Sequence, residues 1–298
     1  MFGVDRQVYY RKKKSKQKRQ EIASQVIELV REIRHQMPRI GTRKLYYLLE
    51  PKLDLLSVGR DRLFRILRAN HMLIIPKRSY RITTNSHHRF RKHKNRIAQL
   101  AITRPEQVWV SDITYLGNRE NPCYLSLVTD AYSKLIVGYN VSENLNTESC
   151  IKALEKAVKG RRYKSETLIH HSDKGIQYCS NEYQKKLFEN DLQCSMTESY
   201  DPYQNAVAER VNGILKQEFM IDEYRVALSE ITQIVQESIR IYNSKRPHYS
   251  SYMLTPTQMH SQRELKIRTY KKNSCRKTPA TVLDDLILPI KPVSVFQD

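Results

Sequence analysis

The chain has little that would tie it to a membrane or an oxidising compartment. No apolar run in its 298 residues approaches the roughly 20 of a spanning helix, and the first residues lack the short apolar stretch of an export signal. A place in the cytoplasm is therefore expected. The five cysteines, Cys123, Cys150, Cys179, Cys194 and Cys275, are odd in number, widely spaced and never in a C-x-x-C pair. Neither a disulfide framework nor a zinc site follows, and they read as reduced thiols. Acid is also in short supply: 31 Asp and Glu stand against 52 Lys and Arg, a formal charge of +21. So much like-signed charge calls for an anionic partner, with nucleic acid the first candidate. At 40% hydrophobic and 28% charged residues, the composition is that of a globular protein rather than a fibre or a disordered tail.

Five segments differ in texture. Residues 1–19 are basic. Residues 20–75 repeat apolar positions at helical steps: Ile22, Val26, Leu29 and Ile33, then Leu45, Leu48 and Leu49, then Leu63, Phe64, Ile66 and Leu67. Three short helices are expected, punctuated by Gly41 and by the stretch from Pro51 to Gly59, as in a helix-turn-helix-like domain. The third carries Arg60, Arg62, Arg65 and Arg68, which suit DNA phosphates or simply a solvated face. Residues 76–104 form a basic linker in which Arg89, Arg91, Lys92 and Lys94 are candidate phosphate contacts. His87, His88 and His93 lack the cysteines of a zinc finger. Residues 105–262 alternate strands and helices, the pattern of an α/β mixed sheet with flanking helices. Strands are expected at Val108–Leu116, Tyr124–Thr129, Leu135–Val141, Thr167–His171 and Gln193–Thr197, with helices at Ser149–Val158, Asn181–Glu189 and Ala206–Phe219. Residues 263–298 form a tail with no assigned role.

Three acids stand out by their surroundings. Asp112 interrupts the apolar strand Trp109-Val110-Ser111-Asp112-Ile113, where a carboxylate is costly unless it meets a cation or a donor. Asp173 follows the strand Leu168-Ile169-His170-His171, at the kind of strand end where α/β sheets place their sites. Glu209 shares a helical face with Asn205, Asn212 and Lys216, three candidate DNA contacts, while Val207, Val211, Ile214 and Leu215 supply the buried side. Spacing alone proves little, because 31 acids in 298 residues make chance pairs common. A turn residue and a surface charge would explain Asp173 and Glu209 taken singly. Together, three carboxylates without cysteine or ligand histidines suit hard ions such as Mg²⁺ or Mn²⁺. Two such ions would serve in-line displacement at phosphorus.

Four linked motifs then resemble one family. Trp109-Val110-Ser111-Asp112-Ile113-Thr114-Tyr115, His171-Ser172-Asp173-Lys174-Gly175, Asn205-Ala206-Val207-Ala208-Glu209-Arg210 and Tyr242-Asn243-Ser244-Lys245-Arg246-Pro247-His248 resemble, in order and spacing, the signatures of IS3-family insertion-sequence transposases. The resemblance spans residues 38 to 260. It implies a retroviral-integrase-like core of the ribonuclease H fold, with Asp112, Asp173 and Glu209 as the DDE triad and Lys216 as the basic residue beyond the glutamate. It further implies DNA cleavage and strand transfer at the terminal inverted repeats of a mobile element, by a homo-oligomer on DNA. The chain is expected to be the downstream-frame (OrfB) part, joined to or working with an upstream-frame (OrfA) product. Two departures stand out: Tyr200 where a glycine is usual, and Ser251 where an apolar residue is common. A non-catalytic DNA-binding protein, and a ribonuclease H-like nuclease that never joins strands, are the competing readings.

Overall fold

Apolar spacing in the first third of the chain builds three helices in the computed structural model, which describes residues 5–75, 93–117, 122–197 and 205–268. Helix α1 (Arg6–Gln36) begins well before residue 20, where apolar periodicity starts, because Asp5 accepts from the Gln7 amide at 2.9 Å and caps it. The basic segment is therefore mostly helix. Only the second half of α1 packs, through Ile22, Val26, Leu29, Val30 and Ile33. Helix α2 (Thr42–Leu55) runs past Pro51 rather than ending at it. The proline forgoes one backbone hydrogen bond, and the buried residues Leu45, Leu49 and Leu53 outweigh that loss. Helix α3 (Arg60–Ala69) buries Leu63 and Leu67 and turns its arginines away from them.

Five strands follow in one sheet of order β3-β2-β1-β4-β5. β1 (Val108–Gly117), β2 (Pro122–Asp130) and β3 (Ile136–Ser142) form an antiparallel meander, while β4 (Leu168–Ser172) and β5 (Leu192–Met196) join parallel on the other side of β1. This meander followed by parallel strands is the ribonuclease H arrangement expected from the motifs. Observed strand bounds fall within two residues of the expected ones. Helix α4 (Thr147–Lys159) lies so close on β3 that a Cβ at Gly138 would meet the Ala153 carbonyl oxygen at 2.1 Å. Helices α5 (Ile176–Cys179) and α6 (Asn181–Glu189) cover the same face, where Trp109 and Val128 meet Cys150, Leu154, Tyr183 and Leu187.

The opposite face carries α7 (Ala206–Glu218) and α8 (Leu228–Lys245), followed by the short α9 (Pro256–His260). Here Leu125, Leu127, Val211, Leu215 and Val235 share one continuous apolar cluster with Val26, Val30, Leu45 and Leu67 of the first three helices. The helical segment and the core are thus parts of one compact unit, Met1–Arg268. The end of the basic linker lies on the β5 edge, where the Met196 amide bonds to the Lys94 carbonyl and the Arg96 amide to Ser195 Oγ, and so covers backbone groups that would otherwise be open. Among the described residues no helix is long and apolar enough to cross a membrane, and Cys123, Cys150, Cys179 and Cys194 are free thiols.

Candidate active site

β1 and β4 are parallel neighbours at the centre of the sheet, and alternation along β1 turns Asp112 toward α7. Asp173 directly follows β4, and Glu209 lies in the first turn of α7. The three acids of the sequence motifs therefore come from a strand, a strand end and a helix start that converge on one side of the sheet. Asp112 is half-buried. Its Oδ2 accepts from Asn212 Nδ2 at 2.7 Å and its Oδ1 from the Ile113 amide at 2.9 Å. Burial first, and then the charge of Asp173, push its carboxyl up to about 7; Glu209 adds to the rise and the Asn212 bond opposes it. Glu209 is more open, yet desolvation and then Asp173 raise it as well.

The turn after β4 is shaped around its acid. The Gly175 amide donates to Asp173 Oδ1 at 3.0 Å, and a Cβ at Gly175 would stand 3.0 Å from that oxygen and 3.3 Å from Gln177 Oε1. Glycine lets the carboxylate fold back over the backbone. Behind the acids, His170 Nε2 lies 2.7 Å from Ser111 Oγ and 2.9 Å from Tyr183 OH, tying β1, β4 and α6 together. Burial holds that imidazole down at about 3, so it is neutral and its free nitrogen lone pair can accept a hydroxyl proton.

Among the described residues no cation is hydrogen-bonded or ion-paired to Asp112 or Glu209. Nor do three acidic, histidine or cysteine side chains already stand together as a closed ligand set. The three acids sense one another's charge without being drawn into a cage. An oxygen-only donor set carrying surplus negative charge fits a hard divalent cation, whose arrival would relieve the repulsion that lifts Asp112.

Other sequence candidates divide. Asn205 and Asn212 are buried rather than turned toward DNA: Asn205 Nδ2 donates to the Ser111 carbonyl at 3.1 Å, and Asn212 holds Asp112. Both sit on the polar face of α7, but that face meets β1. Lys216 is half-buried two turns beyond Glu209. On α3, Arg60 pairs with Asp61 and Arg62 donates to the Ser57 carbonyl, leaving Arg65 and Arg68 exposed. Lys94 is exposed; Arg89, Arg91, Lys92 and Tyr200 lie outside the described residues. Ser251 is fully buried and its hydroxyl has no hydrogen-bond partner among the described residues, which explains why an apolar residue suits that place.

Two ion clusters escaped the sequence reading. Arg246, 1% exposed, grips Glu218 at the end of α7 with Nε and a terminal nitrogen, at 2.9 and 2.7 Å, while Lys44 of α2 reaches Glu218 at 3.0 Å. The Arg39 amide also donates to the Glu218 carbonyl. Burial drives His248 well below its usual range, so it is neutral where Arg246 meets its Nε2 at 2.9 Å. The second cluster sets His260 of α9 between Glu106 and Asp130, at 3.4 and 3.7 Å. Glu106 also accepts the Arg162 and Tyr163 amides. Arg246 and His248 lie in one of the quoted motifs, but nothing local tells that they meet Glu218 and Lys44, and the acids around His260 are likewise far from it in the chain.

Comparison with known proteins gives this geometry its family. Residues 102–202 and 190–256 each match an integrase core domain. A 31-kDa uncharacterized protein of the insertion element IS600 from Shigella sonnei is 35% identical over 253 residues, covering 83% of this chain and 92% of that one. The transposase of the element IS629, also from Shigella sonnei, is 34% identical over 148 residues, covering 50% of this chain and 49% of its own length. A solved HTLV-2 integrase catalytic core in complex with magnesium aligns with a TM-score of 0.42 at 18% identity, over 53% of this chain and 97% of that one. The integrase core spans the sheet and its flanking helices, and the insertion-element relative is matched along nearly its whole length; the chain belongs to the IS3-like insertion-sequence transposases.

Proposed function

We propose that this transposase cuts and rejoins DNA strands at the ends of its insertion element, with Asp112, Asp173 and Glu209 as the ligands of two Mg²⁺ or Mn²⁺ ions. The carrying observation is Asp112: a half-buried acid pushed up to about 7 by burial and by Asp173, with no cation beside it among the described residues. Bound ions would supply Lewis acidity, activating a water or 3′-hydroxyl and steadying the leaving oxygen. The chain's own residues do the positioning. Asn212 fixes the Asp112 carboxylate, Gly175 lets Asp173 turn back, and α7 presents Glu209. Lys216, further along the same helix, and the exposed Arg65 and Arg68 of α3 are assigned to DNA phosphates, as are the basic residues of the linker. The partners in this reading are element ends and target DNA, further copies of the chain that pair the two ends, and an upstream-frame product that supplies end recognition, all in the bacterial cytoplasm.

Labelled element ends incubated with the protein in Mn²⁺ test this reading. Nicked and joined products are expected, and a full-strength reaction by Asp173→Asn would overturn the triad. Nicking without joining would instead identify a nuclease, and binding with no new strand ends a non-catalytic protein.

A further inference from the structure

Among the described residues, the first half of α1 adds nothing to the apolar core. Between Arg6 and Arg19 stand eight cations, Arg6, Arg11, Lys12, Lys13, Lys14, Lys16, Lys18 and Arg19, all exposed, with no acid among them. Packing starts only at Ile22. No ion pair among the described residues touches any of the eight; Arg19 bonds Ser15 and Arg6 lies over Tyr10. Inside the segment no acid offsets this charge, and only Asp5 and Glu21 flank it. Lys12 repels Lys16 and Lys14 repels Lys18 at one-turn spacing, and cations crowd the helix end where the backbone dipole disfavours them. A helix that is polar all round and self-repelling finds its compensation in a polyanion.

The cations are also ordered. At 100° per residue, Arg11, Lys14 and Lys18 line one side of the helix, and Lys12, Lys16 and Arg19 line a second side about a third of a turn away. Between these two stripes lie Val8 and Ser15, both shorter and both half-shielded by their long neighbours. Arg6, Tyr9, Tyr10 and Lys13 occupy the back. Fourteen residues span about 21 Å, over which a duplex presents on the order of a dozen phosphates. A major groove about 12 Å wide admits one helix between its two phosphate walls.

From this pattern we propose that residues 6–19 of α1 form a duplex-binding arm that lies in a DNA groove, with Arg11, Lys14 and Lys18 on one strand's phosphates and Lys12, Lys16 and Arg19 on the other's. Val8 and Ser15 face the groove floor. The contacts are to backbone, so the arm adds affinity without choosing sequence. It rests on the reading of this chain as a protein that acts on DNA, and it adds a surface that neither the triad nor α3 supplies.

Affinity for a labelled 30-base-pair duplex of unrelated sequence, measured without divalent metal across a salt series, tests the arm. Replacing Arg11, Lys14 and Lys18 by Gln is expected to flatten the slope of log K against log salt by about 2 to 3 and to weaken binding on the order of a hundredfold at 0.1 M salt. Replacing Lys12, Lys16 and Arg19 by Gln should do the same. Arg6→Gln with Lys13→Gln, on the back of the helix, should leave the slope unchanged. Gln keeps helix propensity and relieves repulsion, and far-ultraviolet circular dichroism should confirm an intact helix. Unchanged slopes in both stripe variants overturn the arm. Equal losses from stripes and back overturn the groove geometry and leave only diffuse attraction. Because no metal is present, the result is independent of the triad, whose failure would show in strand cleavage instead.

Discussion

The two ends of α7 keep their acids in opposite company. At the start, burial and then the charge of Asp173 raise the proton affinity of both Asp112 and Glu209, with no cation paired to either among the described residues. At the finish, Glu218 is more buried than Glu209, yet Arg246 and Lys44 hold its carboxyl below the usual range. One helix therefore carries an acid that the proposed function assigns to an incoming ion and an acid whose cations are already built in. Repulsion left standing in a folded protein marks a place reserved for a ligand. Compensated charge marks architecture.

Substitution should separate the two ends, and the largest effect belongs to the chemistry. Asp112→Asn, Asp173→Asn and Glu209→Gln are each expected to cut strand cleavage by about a thousandfold or more while duplex affinity holds, as gel assays in Mn²⁺ would show. In metal-free protein the same changes should leave the melting temperature level or a few degrees higher, since they relieve repulsion. A marked drop in melting temperature would place these acids with Glu218 as structural groups.

The next effect is stability without chemistry. Arg246→Met strands Glu218 in a buried position and is expected to cost about 3 to 5 kcal/mol in urea unfolding. A loss below about 1 kcal/mol would mean the cluster is surface-like after all.

A third difference is in pH. His260, between Glu106 and Asp130, is raised to about 9 by bonds to Asp130 and Glu106 that outweigh its burial. Its ordinary value is 6.5, so its stabilisation is complete below pH 6.5 and fades as pH rises through about 9. Roughly 3 kcal/mol should disappear across that window, and His260→Gln should flatten the profile. Glu106 is shifted the other way, held down by His260 and by two amides against its burial, so its share fades on acidification instead. The smallest effect is a gain: Ser251→Ala removes a buried hydroxyl without a partner and should add up to about 1 kcal/mol.

Much of this was legible in the chain. Strands declare themselves by apolar alternation, and Asp112 was visible because a carboxylate in such a strand is an anomaly. That Asp112, Asp173 and Glu209 lie near one another follows from their places on a strand, a strand end and a helix start. Asn205 and Asn212 were misplaced because a helical wheel reveals a polar face but not what that face meets; here it meets β1. The start of α1 was missed because residues 6–19 offer no apolar repeat. Helix α8 did have one, in Leu228, Ile231, Val235, Ile239 and Tyr242, and closer attention to that spacing would have found it. The cluster at Glu218 had no such signal, since Lys44 lies 174 residues away and only the fold brings them together.

The junction at Glu218 also bears on how such transposases can be recombined with one another. Lys44 and the Arg39 amide come from the helical segment, and Glu218 is the last residue of the helix that presents Glu209. A graft that brought in another element's helices without a cation at the place of Lys44 would leave Glu218 half served and the shared apolar cluster mismatched. The helical segment and the core are thus joined by one charged seam and one apolar cluster, and a chimera that exchanges the helices must carry the seam with them.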